Sequence, residues 1–168
     1  MPTIRRARPD DAEALVELST ATFTQTFGHL YDPTDLAAFL NEAYDLQKHK
    51  TLLADPDHAT WVVEGNGALV GYALAGPCSL PHPDVLPEDR ELKRLYLLAD
   101  HQKSGLGSTL IELVLDWIGP RTAWLGVWSQ NFGAQRFYHR YGFSKAGEYF
   151  FKVGNHRDHE FIYRRPAL

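Results

Sequence analysis

The sequence has 168 residues, of which 44% are hydrophobic and 23% are charged, and its formal net charge is −4. This composition predicts one globular domain over residues 1–168 with enough apolar mass to form a core. The negative charge argues against a nucleic-acid partner, because such domains usually carry a basic face. It is compatible with a cationic substrate.

The sequence also indicates where the protein works. No apolar stretch approaches the ~18 residues that a membrane span needs, and residues 1–6 lack the apolar segment of a signal peptide. The single cysteine, Cys78, can form no internal disulfide, which fits a reducing compartment. We therefore expect a cytoplasmic protein without a membrane partner, in which Cys78 is a passive loop residue.

The predicted elements alternate between short strands and helices. An Asn-Gly pair at residues 66–67 predicts a hairpin between the second and third strands, and repeated prolines predict an irregular loop over residues 76–89. In chain order, the elements are a strand over 2–6, a helix to about Phe27, a helical segment from Pro33 to about Lys50, strands over 61–64, 68–75 and 91–98, a helix over 105–118, a strand over 123–127, a helix over 132–141, and closing strands over 144–153 and 158–164.

A glycine turn joins the apolar strand over 91–98 to the apolar helix that follows it. Its sequence is Gln102-Lys103-Ser104-Gly105-Leu106-Gly107. Glycines let a backbone turn tightly and approach a ligand closely, and the free N–H groups of a helix's first turn bind phosphate oxygens. The turn therefore predicts a phosphate site.

Two common phosphate sites are excluded at this turn. A nucleotide-hydrolysing P-loop needs a lysine and a hydroxyl directly after its glycines, and neither is present. The dinucleotide fingerprint needs a third glycine where Leu110 stands. The remaining pattern, Q-x-x-G-x-G, resembles the acetyl-CoA pyrophosphate loop of the GNAT acyltransferase superfamily.

A second motif lies downstream, over residues 131–143. It resembles the GNAT pattern N-x-x-A-x-x-F-Y-x-x-x-G-F at every fixed position, and Asn131 and Gly142 are suitable helix-capping residues. Together the two motifs identify the chain as a member of this superfamily. The resemblance implies an α/β (α+β) fold with a mixed, mostly antiparallel sheet of about seven strands flanked by four helices. It also implies acetyl-CoA as cofactor and transfer of an acetyl group to a primary amine by direct attack in a ternary complex.

Three segments outside the two cofactor motifs indicate a more specific group within the superfamily. Residues 22–27, 91–97 and 124–128 resemble those of PaiA-type bacterial spermidine/spermine N-acetyltransferases, which implies a small amine or polyamine as acceptor. The chain departs from that group at Lys93, where an acidic residue is usual. A lysine there would oppose a cationic substrate if its head faced the pocket.

The resemblance also implies two catalytic residues. Glu91, at the start of the central strand, is the expected base, with a water held by a base as the alternative. The residues alternating with Glu91 (Lys93, Leu95 and Leu97) are expected to share its face. Tyr138 matches the family tyrosine that protonates the leaving thiolate. Its alternative role is to complete the apolar stripe of its helix.

The remaining site residues divide into two sets. The expected cofactor-binding residues are Leu95, Tyr96, Leu97, Gln102, Lys103, Ser104, Gly105, Leu106, Gly107, Ser108, Asn131, Ala134, Phe137, Tyr138 and Arg140. The expected substrate-binding residues are Phe27, Tyr31, Trp128 and Asp158. No metal site is expected, because His156 and His159 lie at a turn and strand start without a cysteine partner.

Other functions share the same cofactor motifs. Acetylation of a protein N-terminus or a lysine side chain would need an open peptide groove, whereas a deep, carboxylate-lined pocket favours a polyamine. A non-catalytic domain that senses acyl-CoA would keep most of the same residues. The sequence leaves a homodimer open.

Overall fold

One mixed sheet organises the structure. The computed structural model describes residues 1–168, and its seven strands lie in the order β1-β2-β3-β4-β5-β7-β6. All neighbouring strands are antiparallel except β4 and β5, which are parallel. The strands are β1 Thr3–Arg6, β2 Ala59–Gly65, β3 Ala68–Pro77, β4 Arg90–Leu97, β5 Ala123–Trp128, β6 Ser144–Val153 and β7 His156–Arg165.

Helices cover the sheet, and the predicted order of elements is confirmed. They are α1 Ala12–Phe27, α2 Pro33–Ala43, α3 Leu46–Ala54, α4 Leu106–Ile118 and α5 Phe132–Arg140. The second predicted helical segment consists of two helices, α2 and α3, because the chain becomes extended at Asp45. The Asp45 carboxylate accepts the Lys48 N–H at 3.1 Å and starts a new helix. None of the helices is long and apolar enough to cross a membrane.

The main core lies between the sheet and α4. Leu110, Ile111, Val114 and Ile118 are at most 1% exposed, and their spacing places them on one stripe of the helix. On the opposite face of the sheet, α1 packs Leu15 and Leu18 against the strands, and a separate aromatic cluster joins α1 to α2. The residues of this cluster include Phe23, Phe27, Tyr31, Phe39, Tyr44 and Phe151.

The pairing between β4 and β5 ends almost where it starts. The two strands pair only at Arg90–Ala123 and Glu91–Trp124, although β4 continues to Leu97 and β5 to Trp128. Beyond this pairing the strands diverge and leave a gap between them. We call this gap the split; it is bordered by residues 92–97 of β4 and 125–128 of β5.

A bulge in β4 changes which residues face the same side. Leu74 of β3 pairs with Arg94 and Ala75 pairs with Leu92, so Lys93 is an extra residue in β4. Leu92, Leu95 and Leu97 all pack in the core under α4. The expectation that Leu95 and Leu97 share the face of Glu91 is therefore wrong, because the extra residue reverses the alternation.

Gly71 holds β3 close to the end of β4. A Cβ at this position would lie 2.3 Å from Leu97 Cδ2 and 3.1 Å from the Tyr96 carbonyl oxygen. We expect Gly71→Ala to lower the free energy of unfolding by about 1–3 kcal/mol, the usual cost of overpacking, as measured by urea denaturation. The matched control is Gly133→Ala, because a Cβ there has no neighbour closer than 3.9 Å. Equal stability of the Gly71→Ala variant and the wild type would contradict this account.

Candidate active site

A cavity of about 1070 Å³ opens at the split and extends across the sheet. Of the sequence-predicted site residues, Ser104 and Leu106 do not line it. Ser104 is exposed and its hydroxyl donates to the His101 carbonyl oxygen at 2.6 Å, and Leu106 packs against the core. The predicted residues that line the cavity are Phe27, Tyr31, Glu91, Leu95, Tyr96, Leu97, Gln102, Lys103, Gly105, Gly107, Ser108, Trp128, Asn131, Ala134, Phe137, Tyr138, Arg140 and Asp158.

The glycine turn forms one end of the cavity. Lys103 and Gly105 have positive φ angles of 60° and 84°, which is the conformation that turns successive N–H groups toward one side. The backbone N–H groups of residues 103–108 donate to no acceptor within the protein, and the first helical bond runs from the Thr109 N–H to the Gly105 carbonyl oxygen. This end is therefore a cradle of free N–H donors at the start of α4, as an anion requires.

The edge of β4 supplies further donors beside the cradle. The Leu98 N–H donates to Val70 of β3 at 2.9 Å. Because directions alternate along an antiparallel ladder, the N–H groups of Leu95 and Leu97 point to the opposite edge, toward the split. The Gln102 amide donates to the Leu97 carbonyl oxygen at 3.1 Å and ties the glycine turn to this edge.

Tyr138 lies on α5 at the cofactor side of the cavity. The helix starts at Asn131, whose side chain accepts the Ala134 N–H at 3.2 Å. The Tyr138 hydroxyl has no hydrogen-bond partner within the protein, and its ring packs against Phe137 and Phe143 at centroid distances of 5.4 and 6.1 Å. Burial raises the pKa of Tyr138 to about 12, so the hydroxyl keeps its proton at neutral pH.

Glu91 lines the cavity on the opposite side of the sheet from α4. Its Oε1 accepts the Ser79 N–H at 3.0 Å and lies 3.3 Å from the Lys93 ammonium. Lys93 also donates to the Ser79 hydroxyl at 3.1 Å. The lysine that departs from the PaiA pattern therefore pairs with a neighbouring carboxylate and is not an isolated charge in the cavity.

The other end of the cavity contains the predicted acceptor residues. The Tyr31 hydroxyl donates to Asp158, and His156 Nε2 lies 3.0 Å from the second oxygen of that carboxylate. Phe27 contacts Trp128 edge to face at a centroid distance of 6.1 Å. The four predicted residues, which come from three separate parts of the sequence, thus line one cavity.

Sequence reasoning missed Glu160, which also lines the cavity. On β7 it pairs with Trp128 of β5 and Tyr149 of β6. Burial, reinforced by the charge of Asp158, raises the pKa of Glu160 to about 8. The sequence could have indicated its position, because Asp158 and Glu160 are two residues apart on a predicted strand and must share a face.

Sequence reasoning also missed the aromatic wall of the acceptor end. Most of its residues belong to the aromatic cluster between α1 and α2 and lie outside the segments that carry a family resemblance; Phe23, within residues 22–27, is an exception. The wall residues beyond those predicted are Phe23, Phe39, Tyr44, Tyr149 and Phe151.

Comparisons with known proteins agree with this geometry. The model of the acetyltransferase (GNAT) family matches residues 13–143. An uncharacterized N-acetyltransferase of Mycobacterium tuberculosis is 30% identical over 164 residues, covering 94% of this chain and 99% of the relative. An uncharacterized N-acetyltransferase of Lactobacillus delbrueckii subsp. lactis is 29% identical over 162 residues, covering 94% of this chain and 93% of the relative.

A solved structure shows the same fold. The PaiA N-acetyltransferase of Thermoplasma acidophilum, determined in complex with coenzyme A, superimposes with a TM-score of 0.77 at 20% identity, and the match covers 99% of each chain. The free N–H donors of residues 103–108 and the split fit a ligand that carries phosphates and an extended arm. The family model spans most of the sequence, including both motifs. The chain therefore belongs to the GNAT acetyltransferase family and is an N-acetyltransferase that uses acetyl-CoA.

Proposed function

We propose that the protein transfers an acetyl group from acetyl-CoA to the primary amine of a small cationic acceptor, with polyamines as the leading class. The observation that carries this proposal is the polarity of the cavity. Free N–H donors line one end, and the carboxylates of Glu91, Asp158 and Glu160 lie toward the other. An anionic donor and a cationic acceptor would each find complementary charge there.

The cofactor end would hold acetyl-CoA through backbone groups. When bound, this molecule supplies a thioester carbonyl that an amine can attack. The N–H groups of residues 103–108 would hold its pyrophosphate, with Lys103 and Arg140 as nearby cations. The N–H groups of Leu95 and Leu97 would bind the pantetheine arm and stabilise the negative charge that develops on the carbonyl oxygen.

The attacking amine must lose a proton first. An alkylammonium with a pKa near ~10.4 requires about 4–5 kcal/mol to expose its lone pair at pH 7. A carboxylate at the acceptor end would take this proton, and Glu91 is the residue that the sequence predicts for this role. Tyr138 would protonate the thiolate, because its hydroxyl is protonated at neutral pH and faces no competing acceptor in the protein.

The acceptor end favours a cation with an apolar body. Asp158 is buried at 8% exposure and held in place by Tyr31. Phe27 and Trp128 lie beside it, and aromatic faces attract cations as well as methylene groups. A polyamine, with ammonium groups separated by short methylene chains, matches this combination of carboxylates and rings.

The cradle should tolerate a lost charge better than added bulk. We expect Gly107→Val to weaken acetyl-CoA binding at least about tenfold, because its side chain would enter the space beside the N–H donors. A Cβ at Gly107 lies 3.9 Å from its nearest neighbours, Leu97 and Phe137, so the fold should remain intact. Lys103→Ala is the comparison and should lose less affinity. Calorimetric titration with acetyl-CoA measures the affinity of each variant, and the melting temperature measures its stability. Wild-type affinity in the Gly107→Val variant would contradict the proposal that the cradle binds acetyl-CoA.

Tyr138→Phe should separate proton donation from packing. We expect kcat to fall by about 10²-fold, within the usual range for acid–base groups, because the ring remains but the proton donor is lost. The loss should be partial, since a thiolate whose thiol has a pKa near ~8.5 can leave unassisted. Acetyl-CoA affinity and melting temperature should not change. Tyr141→Phe, at the C-terminal cap of the same helix, is the matched control, and an equal kcat in both variants would show that Tyr138 is structural.

A panel of amines tests the acceptor class. We expect the turnover of spermidine and spermine to exceed that of peptides that have a free N-terminus and no other charged group. Release of the CoA thiol measures the turnover of each amine. Asp158→Asn should raise KM for the polyamines at least about tenfold, because it removes a buried negative charge. Turnover of the peptides without turnover of any polyamine would favour the protein-acetylating alternative instead.

A further inference from the structure

We propose that the Glu160 carboxylate, rather than that of Glu91, takes the proton of the acceptor ammonium before the acetyl group is transferred. This inference rests on the proposed function, because it assigns a step of that reaction. It starts from the position of Glu160 in the sheet. Glu160 pairs with Trp128, the last residue of β5, and therefore lies beside the open end of the split.

Glu160 lies on the acceptor face of the sheet. Leu125 and Val127 of β5 face the core under α4, so Trp128 and Gly126 face the other way, and their partners Glu160 and Ile162 do the same. This is the side on which Glu91 lies, opposite its core-facing neighbour Leu92. The carboxylates of Glu91 and Glu160 thus approach the cavity from two strands that flank β5.

The three carboxylates of the cavity differ in how they are engaged. Glu91 accepts from Ser79 and pairs with Lys93 at 3.3 Å. Asp158 accepts from Tyr31 and contacts His156 at 3.0 Å. The Glu160 carboxylate forms no hydrogen bond and no ion pair within the protein, although the residue is partly buried. Its lone pairs are therefore free to accept a proton from a bound ammonium.

The surroundings of Glu160 make it a stronger base than an ordinary carboxylate. The titratable groups near it are Asp158 on its own strand, Tyr149 on β6 and Tyr31 after α1, and Glu91 lies near Tyr149. None of these is a cation, whereas Glu91 has Lys93 beside it. With its pKa raised to about 8, Glu160 is close to the working pH, where proton acceptors are most effective.

The step balances with one proton released. Glu160 takes one proton from the R–NH₃⁺ group, and the freed lone pair forms the C–N bond to the thioester carbonyl carbon as the C–S bond breaks. The sulfur takes the proton of Tyr138, and the second proton of the nitrogen restores the Tyr138 hydroxyl. Glu160 then gives its proton to solvent, so that amide, thiol and one free proton are the products.

The test compares Glu160→Gln with Glu91→Gln in the full chain. We expect kcat/KM for spermidine to fall at least about 100-fold in Glu160→Gln and less than about tenfold in Glu91→Gln. In the wild type, kcat/KM should rise with pH through about 8, because the base must be ionised, and this limb should be absent from Glu160→Gln. Glu160→Asp, which keeps a carboxylate, should recover part of the activity.

A second readout does not depend on turnover. Trp128 lies directly opposite Glu160, so its fluorescence should titrate with a midpoint near 8 in the wild type and in Glu91→Gln but not in Glu160→Gln. A larger loss of kcat/KM in Glu91→Gln, or an unchanged pH limb in Glu160→Gln, would overturn the assignment to Glu160. An absence of turnover in the wild type with every amine, despite an intact fluorescence titration, would instead overturn the proposed function.

Discussion

The structure depends on two parallel strands that pair at only two positions. The short pairing of β4 with β5 leaves backbone donors along residues 92–97 without a partner strand. A buried donor without a partner costs about 1–3 kcal/mol, so an edge of this kind persists only where solvent or a ligand can reach it. The cradle at residues 103–108 adds further free donors, because the first N–H groups of a helix have no acceptor within the helix. Two groups of free N–H donors result, those of Leu95 and Leu97 on β4 and those of residues 103–108, and both line the cavity.

Near the acceptor end of the cavity, the lysine and arginine side chains interact with groups of the protein itself. Lys93 pairs with Glu91. The Arg94 guanidinium, which also lines the cavity, lies 4.7 Å from the centre of the Tyr44 ring and contacts the Ala43 carbonyl oxygen at 3.5 Å. Neither Asp158 nor Glu160 has a lysine or arginine partner in the wall, and Asp158 contacts the Tyr31 hydroxyl and the exposed imidazole of His156. The uncompensated negative charge at this end is therefore that of Asp158, and Glu160 adds to it as the pH rises through about 8, which favours local binding of a cation.

Sequence patterns specify more of the geometry at the predicted cofactor end of the cavity than at the predicted acceptor end. The glycine turn and the motif over residues 131–143 are each one continuous stretch of sequence, so the local order of their residues defines their geometry. The bulge at Lys93 could not be predicted, because it depends on the register between β3 and β4, which no local pattern specifies. Glu160 was missed because its importance arises from burial and from its neighbours on three strands. Tyr31 and Asp158 line the same cavity, and their mutual hydrogen bond became visible only in the folded chain.

The depth of the acceptor end follows from a missing side chain on β5. A Cβ at Gly126 would lie 2.9 Å from the Tyr149 hydroxyl and 3.5 Å from Leu80. With glycine there, the Tyr149 side chain can lie across β5, where burial and then the charges of Glu160 and Glu91 raise its pKa. A larger residue would push Tyr149 outward. The absence of a side chain at one central residue, Gly126, therefore leaves the cavity open between Glu91 on β4 and Glu160 on β7 and connects the predicted acceptor end with the split.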